Sequence, residues 1–352
     1  MICFILPQVV LLEAAERGDA EARRTAMNTI EMSAGLRSRR TALTDVVRLL
    51  GVDVAGLRGL NPTAEERKTV YDLAGSEDLP GTRARGEGDD PVADVAVNQA
   101  FDHADRTHDF YRDVLRRESV DGIGMELVSS VHFGTAFDNA FWNGSQMVYG
   151  DGSGRFLAVG SLTKDIAVVA HEITHGVVQF TAGLRYRKQS GALNESFADV
   201  LGAVVKQFVA GETADQADWL IGEGILGSEI RGEALRSMKA PGTAFEHDSQ
   251  PAHMNDFKDL PDDGNPRNDH GGVHINSGIP NKAFYLAATK LGGHSWEHAG
   301  PIWYHALVNG LGPDSQFVDA ANATIDSAVA LYGKGHETET AVRRAWEEVG
   351  VL

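Results

Sequence analysis

Two histidines and a glutamate form the pattern with the clearest chemistry in this chain. His171, Glu172 and His175 lie within an apolar run, residues 166–178, that predicts a buried helix. Residues four apart project from one helical face, so the two imidazoles can bind one tetrahedral zinc ion. Glu172 lies about 100° round the axis from His171, where it can reach a water molecule without binding the metal and act as a general base. The pattern alone arises by chance in on the order of one chain in a hundred of this size.

A second predicted helix, residues 192–210, offers the third ligand that a catalytic zinc needs. Glu195 and Asp199 are four residues apart on one face, and Glu195 follows His171 with room for a turn and a return helix. Asp199 can accept the spare N–H of a ligating histidine and hold its ring in place. Taken alone, the segment is more typical of a solvated acidic face behind Asn194 as N-cap, so the zinc interpretation depends on the rest of the chain.

The elements that would position these residues divide the chain into a β-rich half and an α-rich half. Helical periodicity covers residues 8–38 and 95–118, and turn signals separate short strands across 56–95. Residues 128–159 alternate between apolar and polar side chains and predict an antiparallel sheet. Further helices are predicted at residues 163–180, 192–210, 275–290, 297–310, 314–332 and 338–349. We therefore predict a two-lobed α+β fold with the His171 helix at the join.

The composition argues against several classes of function. The chain has 352 residues and a formal net charge of −18, which excludes nucleic acid and anionic membranes as expected partners. No run approaches the roughly 20 apolar residues that span a bilayer, and the apolar start lacks the basic residues and cleavage site of a signal peptide. Cys3 is the one cysteine, so no internal disulfide reports the redox compartment.

Further motifs along residues 68–352 resemble, in order, those of the thermolysin family of zinc metallopeptidases. The matching segments are residues 139–144, 171–175, 186, 191–199, 235–238 and 269–278. Within that family, residues 78–82, residues 250–254 and the short N-terminal segment with Pro7 are most similar to the protealysin-like branch. The resemblance implies a β-rich N-terminal lobe and a helical C-terminal lobe, with the zinc helix between them, and zinc-dependent hydrolysis of peptide bonds.

The resemblance also implies roles for the residues around the zinc. One catalytic Zn²⁺, held by the two histidines and Glu195, would lower the pKa of its bound water toward ~7. Glu172 would take the proton and pass it to the leaving amine. Tyr186 and His274 would donate hydrogen bonds to the oxyanion of the tetrahedral intermediate, and Asp269 would hold His274 in the donating form.

The same resemblance implies a cleft that binds an extended peptide. Asn139 and the backbone of Ala140 would pair with the peptide as an added strand. Arg236 would bind the carbonyl beyond the scissile bond, while Leu235 and Val168 would line an apolar pocket. We therefore expect cleavage of peptides or proteins on the amino side of bulky hydrophobic residues.

One group of residues departs from the family. The double calcium site of thermolysin-type enzymes has acids at two positions where this chain has Ala167 and Lys206. Asp218 and Glu223 match two further acids of that calcium site, but Leu220 interrupts the set of ligands between them. Because Ca²⁺ needs several carboxylates and is repelled by an ammonium group, we expect calcium to matter little here.

The N-terminal segment is interpreted as a propeptide that inhibits the enzyme. Its apolar start contains Cys3 and Pro7, a charged helix follows, and the basic residues 37–41 predict an exposed, cleavable junction. The start either plugs the cleft through apolar contacts or binds the zinc through the Cys3 thiolate. The predicted domains are the propeptide (residues 1–42), the β-rich catalytic lobe (43–185) and the helical lobe (186–352).

Two other functions compete with the preferred one, a monomeric zinc endopeptidase. A catalytically silent zinc-binding module would lack the base or the oxyanion donors, and all of these are present. An aminopeptidase would need acidic residues that capture the amine of its substrate, and no such motif is apparent. For location, we expect secretion without a recognisable signal peptide, with the cytoplasm as the alternative.

Overall fold

A mixed sheet and a set of helices meet at the helix that carries His171. The computed structural model describes residues 3–49 and 67–352, without the side chains of residues 14 and 37–49. The helices are α1 (Gln8–Arg17), α2 (Ala20–Leu49), α3 (Val95–Asp113), α4 (Ile166–Gln179), α5 (Lys188–Ala210), α6 (Asp269–Asn276), α7 (Gly278–Leu291), α8 (Ala299–Asn309), α9 (Phe317–Tyr332) and α10 (Glu337–Glu348). The strands are β1 (Cys3–Phe4), β2 (Lys68–Asp72), β3 (Thr82–Gly86), β4 (Leu127–Val131), β5 (Ala140–Trp142), β6 (Met147–Tyr149), β7 (Leu220–Ile221) and β8 (Arg236–Ser237). The predicted α+β fold, with its sheet-rich first part and helical second part, is confirmed.

The predicted helices of the second half are confirmed with small shifts at their ends, except that the helix predicted over residues 275–290 is divided into α6 and α7. The helix predicted from residue 192 begins earlier, at Lys188, and the N-terminal helix predicted over 8–38 is divided into α1 and α2. The division comes at Asp19, whose carboxylate accepts the backbone N–H groups of Glu21 and Ala22 at 2.9 and 2.8 Å and so starts a new helix. Of the helices that the structure describes, none has the length and apolar character to cross a membrane.

The sheet is mixed, and the prediction of an antiparallel sheet over residues 128–159 was wrong for its first strand. Across the described residues the strands follow the order β1-β5-β6-β4-β2-β3, while β7 and β8 form a separate pair. β4 pairs in parallel with both β2 and β6, whereas β5 and β6 form an antiparallel hairpin. Asn143 closes that hairpin by accepting the N–H groups of Ser145 and Gln146 at 2.9 and 3.0 Å. Alternating side chains report a half-buried strand, not the direction of its neighbour.

The first strand of the chain lies at the edge of this sheet. β1 pairs antiparallel with β5, and Cys3 lies opposite Trp142 and Phe4 opposite Phe141. The N-terminal segment therefore adds a strand to the sheet edge that the sequence marked as a peptide-binding strand.

The helices α4 and α5, which carry the predicted metal ligands, pack closely because a glycine lies at their crossing. α4 begins at Asp165, whose carboxylate accepts the N–H of Ala167 at 2.9 Å. A side chain at Gly202 on α5 would place its Cβ 2.8 Å from the carbonyl oxygen of Ala167 and 3.4 Å from the backbone nitrogen of His171. The close approach that Gly202 permits brings the histidines of α4 toward Glu195 of α5.

The predicted domain boundaries lie in regions that only partly belong to the described structure. The basic residues 37–41, expected to be an exposed junction, have helical backbone within α2, and their side chains lie outside the described residues. α2 also continues past residue 42 to Leu49, and residues 50–66 lie outside the described structure. The boundaries at 42 and 185 therefore stay predictions.

Candidate metal centre and cleft

Three side-chain atoms from α4 and α5 are arranged as the corners of a metal site. His171 Nε2 lies 3.0 Å from His175 Nε2 and 3.5 Å from Glu195 Oε2, and His175 Nε2 lies 3.6 Å from Glu195 Oε1. Ligands bound to one zinc at its usual distances in a tetrahedron lie roughly 3.4 Å from each other. The three predicted ligands therefore fit one zinc ion with a fourth position to spare.

Hydrogen bonds to the far side of each ring fix which nitrogen faces the centre. His171 Nδ1 lies 2.8 Å from Asp199 Oδ1, and His175 Nδ1 lies 2.8 Å from Asn194 Oδ1. The amide of Asn194 is oriented in turn, because its Nδ2 donates to the Leu184 carbonyl at 3.0 Å. Burial lowers the pKa of His175 to about 3 and keeps its imidazole neutral. Two Nε2 lone pairs facing each other at 3.0 Å repel unless a cation lies between them, so the geometry fits a metal.

The two glutamates of the site differ in their surroundings. Glu195 is wholly buried, which alone would raise its pKa, but His274, His175 and His171 outweigh burial and lower it. Its Oε2 has no hydrogen-bond partner among the described residues, as expected for an oxygen that binds a metal. Burial and the nearby Glu195 carboxylate raise the pKa of Glu172 well above its usual value, which suits a group that accepts and returns a proton.

Asp199 joins the metal centre to the cleft. Its carboxylate accepts from His171 and also receives two hydrogen bonds of 2.8 Å from Arg236 Nε and Nη2. Asn281 Nδ2 adds a third donor at 2.9 Å. Although burial opposes the charge, Arg236 and His171 hold the pKa of Asp199 well below its usual range, so it stays ionised.

A third histidine, His274, lies 3.5 Å from the predicted ligand Glu195. His274 Nδ1 lies 2.6 Å from Asp269 Oδ1, and its Nε2 lies 3.0 Å from the Tyr186 hydroxyl. Tyr186 itself donates to Glu195. Burial would lower the pKa of His274, but the carboxylates of Asp269 and Glu195 outweigh it and raise the pKa to about 9. The ring is therefore held protonated, with both nitrogens able to donate.

Left-handed backbone presents Asp269 to that histidine. Residues 269–272 all have positive φ, and the right-handed part of α6 begins only after them. Asp269 Oδ2 then accepts the backbone N–H of His274 at 2.7 Å and of Ile275 at 3.2 Å, which caps this part of the helix. Two features favour glycine at position 272. Its φ is +83°, and an added Cβ would lie 2.5 Å from Asn276 Nδ2.

The N-terminal segment runs through the cleft beside these groups. The N–H of Ile5 donates to the Ala140 carbonyl at 3.1 Å, and the Ile5 carbonyl accepts from Arg236 Nη1 at 3.0 Å. The Asn139 side chain bonds Leu6 twice, accepting its N–H at 2.9 Å and donating to its carbonyl at 3.0 Å. The Phe4 carbonyl accepts from His274 Nε2 at 2.8 Å.

Apolar residues surround the same segment. Ile5, Val168 and Leu235 belong to one buried cluster. Pro7 lines a cavity together with Leu235 and Arg236, just before α1 begins. The structure thus brings the predicted inhibitory residue Pro7 together with Leu235 and Arg236, two of the predicted peptide-binding residues.

The region that corresponds to the calcium site is organised around an amino group. Lys206 Nζ lies 2.7 Å from Asp218 Oδ2, 3.3 Å from Glu223 Oε2 and 3.5 Å from the Leu220 carbonyl. Asp165, the acid nearest to Ala167 in sequence, instead accepts the N–H groups of Gly222 and Glu223 at 2.8 and 3.1 Å. A single charge of +1 therefore occupies the centre of this acidic group.

Comparison with known proteins gives the family. A family profile described as the thermolysin metallopeptidase catalytic domain matches residues 60–179, and one described as the alpha-helical domain of the same peptidases matches residues 182–351. The chain belongs to the thermolysin family of metallopeptidases.

Relatives of this thermolysin-family chain match it over most of its length. It is 41% identical to an extracellular metalloprotease of Pectobacterium carotovorum subsp. carotovorum, across 99% of this chain and 96% of that protein. It is 45% identical to protease PrtS of Photorhabdus sp. (strain Az29), across 81% and 76% of the two chains. The solved precursor of protealysin, a metalloproteinase from Serratia proteamaculans, superposes with a TM-score of 0.85 at 40% identity and covers 99% of this chain and 100% of its own. The chain is therefore a protealysin-like zinc metalloendopeptidase, a peptide hydrolase that carries a propeptide.

Several residues of this thermolysin-family site were not predicted from the sequence. The sequence marks Asn194 only as a helix cap, although its place directly before Glu195 puts it within reach of the predicted metal ligand His175. Gln250 supports the cleft by donating to the His274 carbonyl at 2.7 Å, and Asn281 supports Asp199. No spacing in the sequence marks Asn281, because its partner lies 82 residues away.

Proposed function

We propose that this metalloendopeptidase is made as a precursor inhibited by its own N-terminal segment, and that it cleaves on the amino side of bulky hydrophobic residues. The observation that carries the proposal is the binding of Ile5 and Leu6 between Asn139, Ala140 and Arg236. Every backbone polar group of Ile5 has a partner there, as a substrate residue would need. A peptide substrate cannot occupy these groups until the segment leaves.

The proposed chemistry divides among residues that lie around the metal ligands. His171, His175 and Glu195 would hold the zinc, which when bound would supply an activated water and polarise a substrate carbonyl. Glu172 accepts the proton of the attacking water and delivers it to the leaving amine. The Nε2–H group of His274 and the hydroxyl of Tyr186 donate to the developing oxyanion, and Asp269 keeps His274 protonated.

The same residues position the peptide. Asn139 and the Ala140 carbonyl hold the chain extended, and Arg236 binds the carbonyl of the residue beyond the scissile bond. Val168 and Leu235 form the apolar site for that residue, and the complete burial of the Ile5 side chain, whose backbone bonds Ala140 and Arg236, supports a preference for bulky hydrophobic side chains. The buried pair of Arg236 and Asp199 keeps the guanidinium in place before substrate arrives.

The catalytic residues present favour an active peptidase over a silent zinc-binding module. The name of one relative supports a proposal about where the enzyme acts. The base Glu172 and the donors Tyr186 and His274 are all present, whereas a silent module would have lost some of them. One relative is named an extracellular metalloprotease, and we propose that this chain is likewise secreted and acts as a monomer.

A quenched peptide with a bulky hydrophobic residue after the scissile bond tests the proposal on processed enzyme. We expect cleavage that stops with a chelator, and at least ~10³-fold lower kcat in Glu172→Gln with zinc content unchanged. A matched peptide with Asp after the scissile bond should be cut far more slowly. Near-normal turnover in Glu172→Gln would refute the proposed mechanism, and equal cleavage of both peptides would refute the proposed specificity.

A further inference from the structure

The peptide bond between Phe4 and Ile5 lies in the register that the scissile bond of a substrate would have. The Phe4 carbonyl meets the oxyanion donor His274, and the Ile5 N–H meets Ala140 on the far side of the bond. The N-terminal segment thus runs in the direction of a substrate. A zinc site with a free fourth position would hydrolyse a bond held in this way, so the precursor needs a feature that withholds hydrolysis.

The residue before Phe4 lies against the metal ligands. The sulfur of Cys3 and ligand atoms of His175 and Glu195 all lie within 4.8 Å of one another, and all three side chains are buried. A second observation points to a metal at the same place. Glu195 Oε2, wholly buried, has no hydrogen-bond partner in the described part of the chain. Thiolate, imidazole and carboxylate are the ligand types that zinc prefers.

We propose that Cys3 Sγ takes the fourth position of the zinc site in the precursor and thereby protects the Phe4–Ile5 bond. The inference rests on the proposed function, because it assumes that the site binds zinc and hydrolyses peptides. On binding, the S–H bond breaks, the proton leaves to solvent and a sulfur–metal bond forms, with no change in oxidation state. With the sulfur in that position, no water can be activated there and Glu172 has no proton to take.

Charge favours this arrangement in a buried site. With Glu195 as the one anionic ligand, a zinc centre has a net charge of +1. A thiolate from Cys3 makes the centre neutral, which lowers the cost of burying it under the N-terminal segment. Departure of the segment would restore the charge of +1 and the open position.

Cobalt substitution tests the ligand directly, in the Glu172→Gln precursor so that no chain is cut during the measurement. Since Cys3 is the one cysteine in the chain, a thiolate-to-cobalt charge-transfer band in the near ultraviolet can come from no other residue. We expect the band at one equivalent of Co²⁺ and its loss in Cys3→Ser and Cys3→Ala. One equivalent of bound Co²⁺ without the band would overturn the inference and leave the proposed function intact. Failure to bind Co²⁺ at all would overturn both.

Intact mass tests the protective role in chains that retain Glu172. We expect the zinc-loaded Cys3→Ser precursor to lose residues 1–4 and gain a new N-terminus at Ile5, while the wild-type precursor keeps the bond. The matched control, Cys3→Ser with Glu172→Gln, should stay uncut, because it retains the metal site but not the base. A zinc-loaded Cys3→Ser chain that stays whole would overturn the protective role, as would wild-type precursor cut between Phe4 and Ile5.

Discussion

Asp199 contributes to both halves of the proposed chemistry. It accepts a hydrogen bond from His171 on the metal side, and two from Arg236 on the peptide side. Arg236 in turn reaches the Ile5 carbonyl. Removing either member of this buried pair leaves an unpaired charge in the interior, which typically costs about 3–5 kcal/mol. One carboxylate therefore positions a metal ligand and a substrate-binding residue together.

Zinc content should distinguish a direct ligand from a supporting residue. Glu195→Ala removes a ligand atom and should lose zinc outright on dialysis. Asp199→Asn keeps the shape of the side chain but weakens its hold on His171, and should lower zinc affinity or activity by about 10–100-fold. Metal analysis after dialysis against a graded chelator measures both. Stoichiometric zinc in Glu195→Ala would show that the ligand set is wrong.

At the scale of elements, Lys206 connects α5 to the loop around β7. Its ammonium group lies among Asp218, Glu223 and the Leu220 carbonyl, in the region where the resemblance to the family implies a calcium site. Burial would lower the pKa of Lys206, but Asp165 and Asp218 outweigh it and raise the pKa, so the charge persists. The loop around β7 is therefore held by the ammonium group of Lys206, a cation that is part of the chain itself.

We predict that calcium has little effect on stability unless Lys206 is removed. The wild-type melting temperature should shift by less than roughly 10 °C in millimolar calcium, since the ammonium group of Lys206 already pairs with Asp218 and Glu223. Lys206→Met should cost about 2 kcal/mol through lost charged hydrogen bonds, whereas Lys206→Arg keeps the charge and should cost less. Calcium should stabilise only the Met variant, because its acids are unpaired. Thermal unfolding with and without calcium measures this, and a large calcium response in wild-type protein would contradict it.

His132 joins three elements at the end of β4. Its Nδ1 lies 2.6 Å from Asp151 Oδ1, after β6, and its Nε2 lies 3.0 Å from Asp94 Oδ2, the N-cap of α3. The hydrogen bond with Asp151 raises the pKa of His132 against the opposing effect of burial, and with Asp94 the pKa reaches about 9. Because this folded-state value lies above the ordinary 6.5, the contribution to stability is complete below pH 6.5 and is lost as the pH rises through about 9.

Between pH 6.5 and about 9, the free energy of unfolding of the wild-type chain should therefore fall more than that of a His132→Asn variant. Asparagine is the matched replacement, since His132 has a φ of +59° and asparagine tolerates left-handed backbone. Urea unfolding at pH 6, 7.5 and 9.5 measures the difference. If the free energy of unfolding changes with pH in the same way for both proteins, His132 does not titrate as expected.

In the whole molecule, the N-terminal segment adheres to the rest of the chain by several contacts besides the hydrogen bonds from Asn139, Arg236 and His274. β1 extends the sheet, and Phe4 enters an aromatic cluster whose other rings are Phe133, Phe137 and Phe141. Apolar residues of α1 and α2 are buried, namely Leu11, Ala15, Ala22, Ala26 and Ile30. Arg155 makes exposed ion pairs with Asp19 and Glu21, and such pairs contribute little and weaken with salt. Apolar burial and the added strand thus account for most of the adhesion.

Sequence and structure agree best where chemistry depends on neighbours along one helix. The ligand spacing on α4 and α5 was predictable because helix geometry alone puts residues four apart on one face. The parallel pairing of β4 and the support of Asp199 by Asn281 were not predictable, since both depend on contacts between distant parts of the chain. The sequence does not decide whether Cys3 binds the zinc or belongs to an apolar plug. Composition cannot place the first residues of a chain against the middle of it.

Activity and intact mass, followed together in the full-length chain, test whether the N-terminal segment inhibits the enzyme. We predict that the 37.9 kDa chain is nearly inert on a quenched hydrophobic peptide, with activity rising in proportion to the fraction cut near residue 40. A chelator should abolish the gained activity and zinc should restore it, and Glu172→Gln should gain none even when cut by an added protease. Full activity in wild-type chains whose mass remains that of the intact protein throughout the assay would show that the N-terminal segment does not inhibit the enzyme.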